Sequence, residues 1–106
     1  MLSSSDTNKA KEAQIGERGR LDIITIFNSE KRYNLDNGAY LIAANVAAIN
    51  SGLGLNIRKV DFQYRVVATQ NDFTVIATRI GGSLCNGKEI RLSADGGEVH
   101  KSCTVW

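Results

Sequence analysis

Hydrophobic positions along the chain change their period once. Up to Tyr33 they recur at helical spacing: Ile23, Ile26, Phe27, Glu30 and Tyr33 follow offsets of three and four on one face of a helix predicted over about Lys9 to Asn34. The two halves of this helix differ. Its C-terminal half carries a wide apolar face, whereas the N-terminal half offers Ala10, Ala13 and Ile15 and contains Gly16 and Gly19, each costing about 1 kcal/mol against alanine. Local packing alone is not expected to hold that first half, so support from outside the chain is anticipated. Residues 1–8, Met1 and Leu2 followed by Ser, Asp, Thr and Asn, have almost nothing to bury and read as a frayed or cloned end.

Asn34-Leu35-Asp36-Asn37-Gly38 supplies the helix stop. Leu41 to Leu55 is rich in small residues and too irregular for strand alternation. Asn45 is placed to cap a short helix, Val46 to Asn50, which Gly52 and Gly54 end, so residues 35–57 form a connecting region. After Ile57 the period becomes two. In Val60 to Ala68, Phe62, Tyr64, Val66 and Ala68 alternate with Asp61, Gln63 and Arg65. Phe73 to Ile80 alternates likewise, behind a hairpin turn at Thr69-Gln70-Asn71-Asp72. A third run, Lys88 to Ala94, turns at Asp95-Gly96-Gly97 into a shorter fourth, Glu98 to Ser102. The fold class is α+β: a long N-terminal helix packed on a four-stranded antiparallel meander sheet, with Ile23, Ile26, Phe27 and Tyr33 packing on Phe62, Tyr64, Val66, Val75 and Ile90.

Composition narrows the function classes. The 106 residues, 42% of them hydrophobic, suit one packed unit, taken as residues 9–106, and the net charge of +2 is not that of a polycation. No apolar run approaches the roughly 20 residues needed to cross a bilayer. Cys85 and Cys103 can form one intramolecular bridge, closing a loop of about 19 residues worth roughly 3 kcal/mol in the chain-entropy model, or remain two buried thiols in a reducing compartment. The only histidine, His100, stands near Ser93, Asp95 and Ser102, so a Ser-His-Asp arrangement can be written. These residues nonetheless fall on a turn and an edge strand without a nucleophile elbow, and no enzyme is expected. Asp95 and Glu98 lack the dense oxygen spacing of a calcium loop, and one His with two Cys lacks a zinc ligand set, so neither metal nor cofactor is expected. Gly81-Gly82 and Gly96-Gly97 read as turns rather than phosphate loops. Arg58, Lys59, Lys88, Arg91 and Lys101 remain as candidate ligand-binding basic residues, although Phe62 and Tyr64, the aromatics that would stack bases, belong to the core face.

One order of features resembles a known family. A charged, alanine-bearing helix runs into Tyr33-Asn34-Leu35-Asp36-Asn37-Gly38-Ala39-Tyr40, followed by a variable loop, an antiparallel meander containing Phe73-Thr74-Val75-Ile76-Ala77-Thr78-Arg79, and Cys85-Asn86-Gly87-Lys88 leading to Cys103-Thr104-Val105-Trp106. From about Lys9 to Trp106 this is similar to the periplasmic headgroup of a type IV pilin. Leu41 stands where the family often has proline. The resemblance implies that Cys85 and Cys103 staple the C-terminal region. It also implies an apolar helical half upstream, with the present chain a soluble truncation starting at Met1, through which subunits polymerise after residing in the inner membrane. The implied function is that of a major or minor structural subunit of an extracellular type IV pilus serving adhesion, twitching motility or DNA uptake. A pseudopilin of a type II secretion system and a DNA-receptor or adhesin minor pilin are the alternatives. The isolated chain is expected to be a monomer, with Ala10, Ala13, Gly16 and Gly19 lying against neighbouring helices in a filament.

Overall fold

Helix α1 spans Ser4–Asn37, starting before the expected Lys9 and ending three residues beyond Asn34. The computed structural model describes residues 4–82, 84–95, 97 and 99–106, with side chains from Thr7 onward. Residues 1–3 of the anticipated frayed end lie outside that range, while Ser4 to Asn8 are helical. Gly38, at φ 74°, closes the helix, its N–H donating to Asn34 O at 2.7 Å. Helix α2, Val46–Leu53, follows; Asn45 caps it as expected, its side chain accepting from Ala48 N–H, and Gly54 ends it in the left-handed conformation.

The four strands, β1 (Phe62–Ala68), β2 (Phe73–Arg79), β3 (Glu89–Ser93) and β4 (Val99–Lys101), form one sheet in the order β1-β2-β3-β4. Every neighbouring pair is antiparallel, which makes the sheet a meander. Each strand is a residue or more shorter than its alternating run, and Glu98 and Gly96, placed in the last strand and its turn, lie outside the described residues. Strand β1 is not a bare edge. Ala43 N–H donates to Val66 O at 3.1 Å and Val66 N–H to Ala43 O at 2.7 Å, so the connecting segment covers part of it.

Ile23, Ile26 and Phe27 of α1 are buried with Phe62, Tyr64, Val66, Val75 and Ile90, the core anticipated from the two periodicities. Phe73, Ala77, Leu92, Ala43, Val46 and Ile49 complete it. Tyr33 does not belong to it. The buried face of α1 closes one turn earlier, at Glu30, because the chain returning from Gly38 lays Leu41 there and donates its N–H to Glu30 Oε1 at 2.7 Å. Tyr33 is left half-buried in a shallow groove with Arg32, Gly52 and Leu53. Tyr40 fills the corresponding space, its ring 4.5 Å from Phe73, whose other neighbour Phe27 lies at 4.9 Å.

The N-terminal half of α1 is also seated on its own chain. Residues Glu12, Gly16, Gly19 and Ile23 share one helix face, and all four are buried. A Cβ at Gly16 would come within 2.6 Å of Trp106 Cγ, and one at Gly19 within 2.6 Å of Phe62 Cε2. The expectation that these glycines face neighbouring helices is therefore corrected: they let the stem approach two aromatic rings of the same molecule. Ala10 and Ala13 do remain exposed.

Candidate functional site

The most built polar constellation lies where the sheet meets this stem. Strand β2 presents Phe73, Val75 and Ala77 to the core, and the same period carries Arg79 inward, where it is only 6% exposed. A buried guanidinium needs an anion. Glu12, 4% exposed, supplies one: Arg79 Nε donates to Glu12 Oε2 at 2.8 Å and Nη2 to Oε1 at 3.1 Å, a two-point fork. Arg79 Nη1 donates to the carbonyls of Asp61 and Ile80. Trp106 Nε1 donates to Glu12 Oε2 at 3.0 Å, so both carboxylate oxygens are engaged. Burial pushes the Glu12 carboxyl up, but the hydrogen bonds from Arg79 and Trp106 and the Arg79 charge outweigh it and hold the group below its ordinary range. The ring of Phe62 closes the cluster, 5.6 Å from Trp106 and 5.9 Å from the Arg79 guanidinium carbon.

Beside this cluster Cys85 and Cys103 are joined, with Cα atoms 5.8 Å apart, so the bridge reading holds over that of two separate thiols. Cys85 sits in the loop after β2, and that loop is tied to Arg79 by backbone: Gly87 N–H donates to Arg79 O at 2.9 Å and Arg79 N–H to Lys88 O at 2.8 Å.

A second feature is a cleft of about 260 Å³ between α1 and the segment entering β1, lined by Arg18, Asp22, Asn56, Ile57, Arg58, Val60, Asp61, Phe62 and Tyr64. Inside it, the buried Tyr64 hydroxyl donates to Asp22 Oδ2 at 2.8 Å. Burial, with the hydrogen bond and charge of Asp22, pushes the phenol well up, so it serves as a fixed donor. Arg18 reaches Asp61 at 3.7 Å from the rim.

The five basic candidates are all exposed but are not gathered. Arg58 and Lys59 precede β1 at one edge of the sheet and Lys101 lies on β4 at the other, three strand spacings or roughly 14 Å away. Lys88 precedes β3, and Arg91, within that strand, is held by Glu89 at 2.7 Å. The face of the sheet turned away from α1 carries one row that reading the sequence did not isolate: Arg65, Ile76, Arg91 and His100 pair across all four strands. Ile76 is 2% exposed in the middle of that row, with Arg65 and Arg91 as its cross-strand partners. Glu89 serves both, at 3.8 Å from Arg65 and 2.7 Å from Arg91.

The serines near His100 are committed elsewhere. Ser102 Oγ accepts from Glu89 N–H at 2.7 Å and donates to Glu89 O at 3.1 Å, and Ser93 Oγ is bonded to Thr74 Oγ1 at 2.7 Å. Asp95 receives its structural role through its backbone N–H, donated to Asp72 Oδ1 at 3.2 Å. Among the described residues no group of three or more His, Cys, Asp or Glu side chains is arranged to hold a metal ion, and no helix is long and apolar enough to cross a membrane. Compared with known protein families, curated proteins and solved structures, the chain matches none.

Proposed function

We propose that the chain is the headgroup of a structural subunit of a bacterial type IV pilus, acting by polymerisation and by what its exposed surfaces present in adhesion, motility or DNA uptake. The observation that carries this reading is the proportion of α1 to the sheet. Thirty-four helical residues span about 51 Å, whereas strands of up to seven residues reach only about half that. The molecule is accordingly 54 Å long and 25 Å across, and residues 7–11 of the helix stand exposed beyond the buried Glu12. A helix that outruns its sheet in this way is a stem, suited to continuing into a bundle of like helices while the sheet and the disulfide-bounded region stay outside. In this reading the subunit rests in the inner membrane with its headgroup in the periplasm before assembly into an extracellular filament. The Cys85–Cys103 bridge favours the pilus over a type II secretion pseudopilus, since it requires an oxidising compartment and takes the place of a metal-held C-terminal loop.

The test is the native gene upstream of Met1, together with electron microscopy of cells carrying and lacking it. A leader followed by about 20 apolar residues, and filaments lost on deletion, are expected. A gene that begins at Met1, or fibres formed by this chain alone, refutes the reading. The uncovered Arg65, Arg91 and His100 row favours a second reading, a DNA-receptor or adhesin subunit. Duplex DNA affinity that falls linearly with the logarithm of salt concentration, and drops in Arg65→Ala and Arg91→Ala, is its signature.

A further inference from the structure

We propose that Cys103–Trp106 is a disulfide-anchored strap that holds the N-terminal half of α1 against the sheet, so that reducing Cys85–Cys103 releases the stem while the sheet persists. The contacts form a closed circuit. Glu12 on the stem accepts from Trp106 Nε1; Trp106 N–H donates to Cys103 O at 3.2 Å; Cys103 is bonded to Cys85; the Cys85 loop is hydrogen-bonded to Arg79; and Arg79 returns to Glu12 through its fork. The links to Glu12 are hydrogen bonds and an ion pair, and the disulfide is the one covalent cross-link between the tail and the loop after β2.

The strap has few other attachments. Its last ladder bond lies before it, where Ser102 N–H donates to Glu89 O at 2.9 Å. Beyond that residue the tail is kept in place by the Cys103 sulfur, the indole hydrogen bond, and the seating of the Trp106 ring on Gly16 and Phe62. With the sulfur bond intact, the indole is confined near its acceptor and its effective concentration there is high. With it broken, four residues swing from Ser102 and that advantage is lost. A dithiol delivers two electrons and two protons: the S–S bond breaks, Cys85 and Cys103 become thiols, and the dithiol closes to its own disulfide. Departure of Trp106 strips Glu12 of one donor and opens the buried ion pair to water, where such a pair contributes little. The stem from Glu12 to Gly19 then keeps the Gly19 contact with Phe62, the half-buried Ile15 against the core and the exposed Arg18–Asp61 pair, a thinner seat than before. The sheet keeps its core, since Ile23, Ile26 and Phe27 are buried with Val75, Ala77 and Ile90, while the ring contact the strap makes with the sheet is at Phe62, the first residue of β1.

Trp106 is the only tryptophan of the chain, so its fluorescence reports the strap directly. Hydrogen exchange would be followed, with fragment resolution, on the oxidised protein, on the same protein under excess dithiothreitol, and on Trp106→Ala with its disulfide intact. Expected are a red shift and stronger iodide quenching of Trp106 on reduction, with exchange over residues 12–19 accelerated on the order of tenfold both by reduction and by Trp106→Ala. Protection over residues 23–30 and 73–79 should be unchanged in both. Unaltered exchange over 12–19 in either condition overturns the proposal. So does loss of protection throughout the sheet on reduction, because the bridge would then support the whole fold rather than the strap.

Discussion

Replacing Gly19 by alanine separates a stem packed on its own body from one waiting for a partner. In an exposed helix, or one facing absent neighbours, Gly19→Ala stabilises the isolated chain by about 1 kcal/mol, the difference in helix propensity. Here the added methyl would stand 2.6 Å from Phe62 Cε2 and 2.8 Å from Cζ, about 1 Å inside ordinary carbon–carbon contact. Phe62 has no easy retreat. It is 2% exposed, fixed in β1 opposite Arg79, and packed against Tyr64 at 5.9 Å and Trp106 at 5.6 Å. Overpacking of such a site costs about 1–3 kcal/mol, which offsets the propensity gain and leaves a net loss of about 1 kcal/mol. Gly16→Ala should cost less, since the Trp106 ring it meets is half-buried and has more room to move than Phe62. Urea unfolding of the three oxidised proteins at pH 7 measures both. A Gly19→Ala protein more stable than the parent refutes the seating of the stem on Phe62.

Glu12→Ala leaves the buried Arg79 guanidinium without its two-point partner, with the Asp61 carboxylate at 3.9 Å a partial substitute, and should cost about 3 kcal/mol in denaturant melts, whereas Glu12→Met with Arg79→Met together should recover most of that loss. Phe27→Ala opens a cavity beside Phe73 and should cost about 3–5 kcal/mol; less than about 1 would mean that the helix presents another face. Glu30 is fully buried with Oε2 unbonded, and burial, only partly opposed by the Leu41 N–H, raises its carboxyl above the ordinary value of 4.5. The folded state therefore binds this proton more tightly than the unfolded chain, so the contribution is favourable at low pH and is lost as pH rises above about 4.5. Glu30→Gln, which keeps a carbonyl oxygen for Leu41, should melt later than the parent at pH 7 and lose that advantage near pH 4; an advantage constant across the range would exclude the charge as its cause.

Much of this architecture was legible because each segment obeys one period. Asn45, Gly38 and Gly54 mark helix ends through side-chain and backbone chemistry confined to a few residues, and the β1 and β2 runs alternate without interruption. Tyr33 was misplaced because a helical period continues whether or not something lies opposite, and only the return of Leu41 to Glu30 decides where burial stops. The buried Glu12–Arg79 pair was missed although its two signals were present. Arg79 continues the inward register of Phe73, Val75 and Ala77, and Glu12 stands four residues before Gly16 on the face of Gly19 and Ile23. Two opposite charges on two apolar faces are a pairing that neither pattern reveals alone. Trp106 gave no signal, since a single aromatic after the last cysteine has no period to belong to.

The distances along the chain between these contacts also set an order in time. Each strand pairs with the strand next to it in sequence, so the sheet closes short loops and can assemble from local encounters. Glu12 finds Arg79 across 67 residues and Trp106 across 94. As the chain is made from its N-terminal side, the stem precedes both of these anchors. Its glycine-lined face stays open until Phe62, Arg79 and Trp106 have followed it, so the seat of the stem closes later than the local pairings of the sheet.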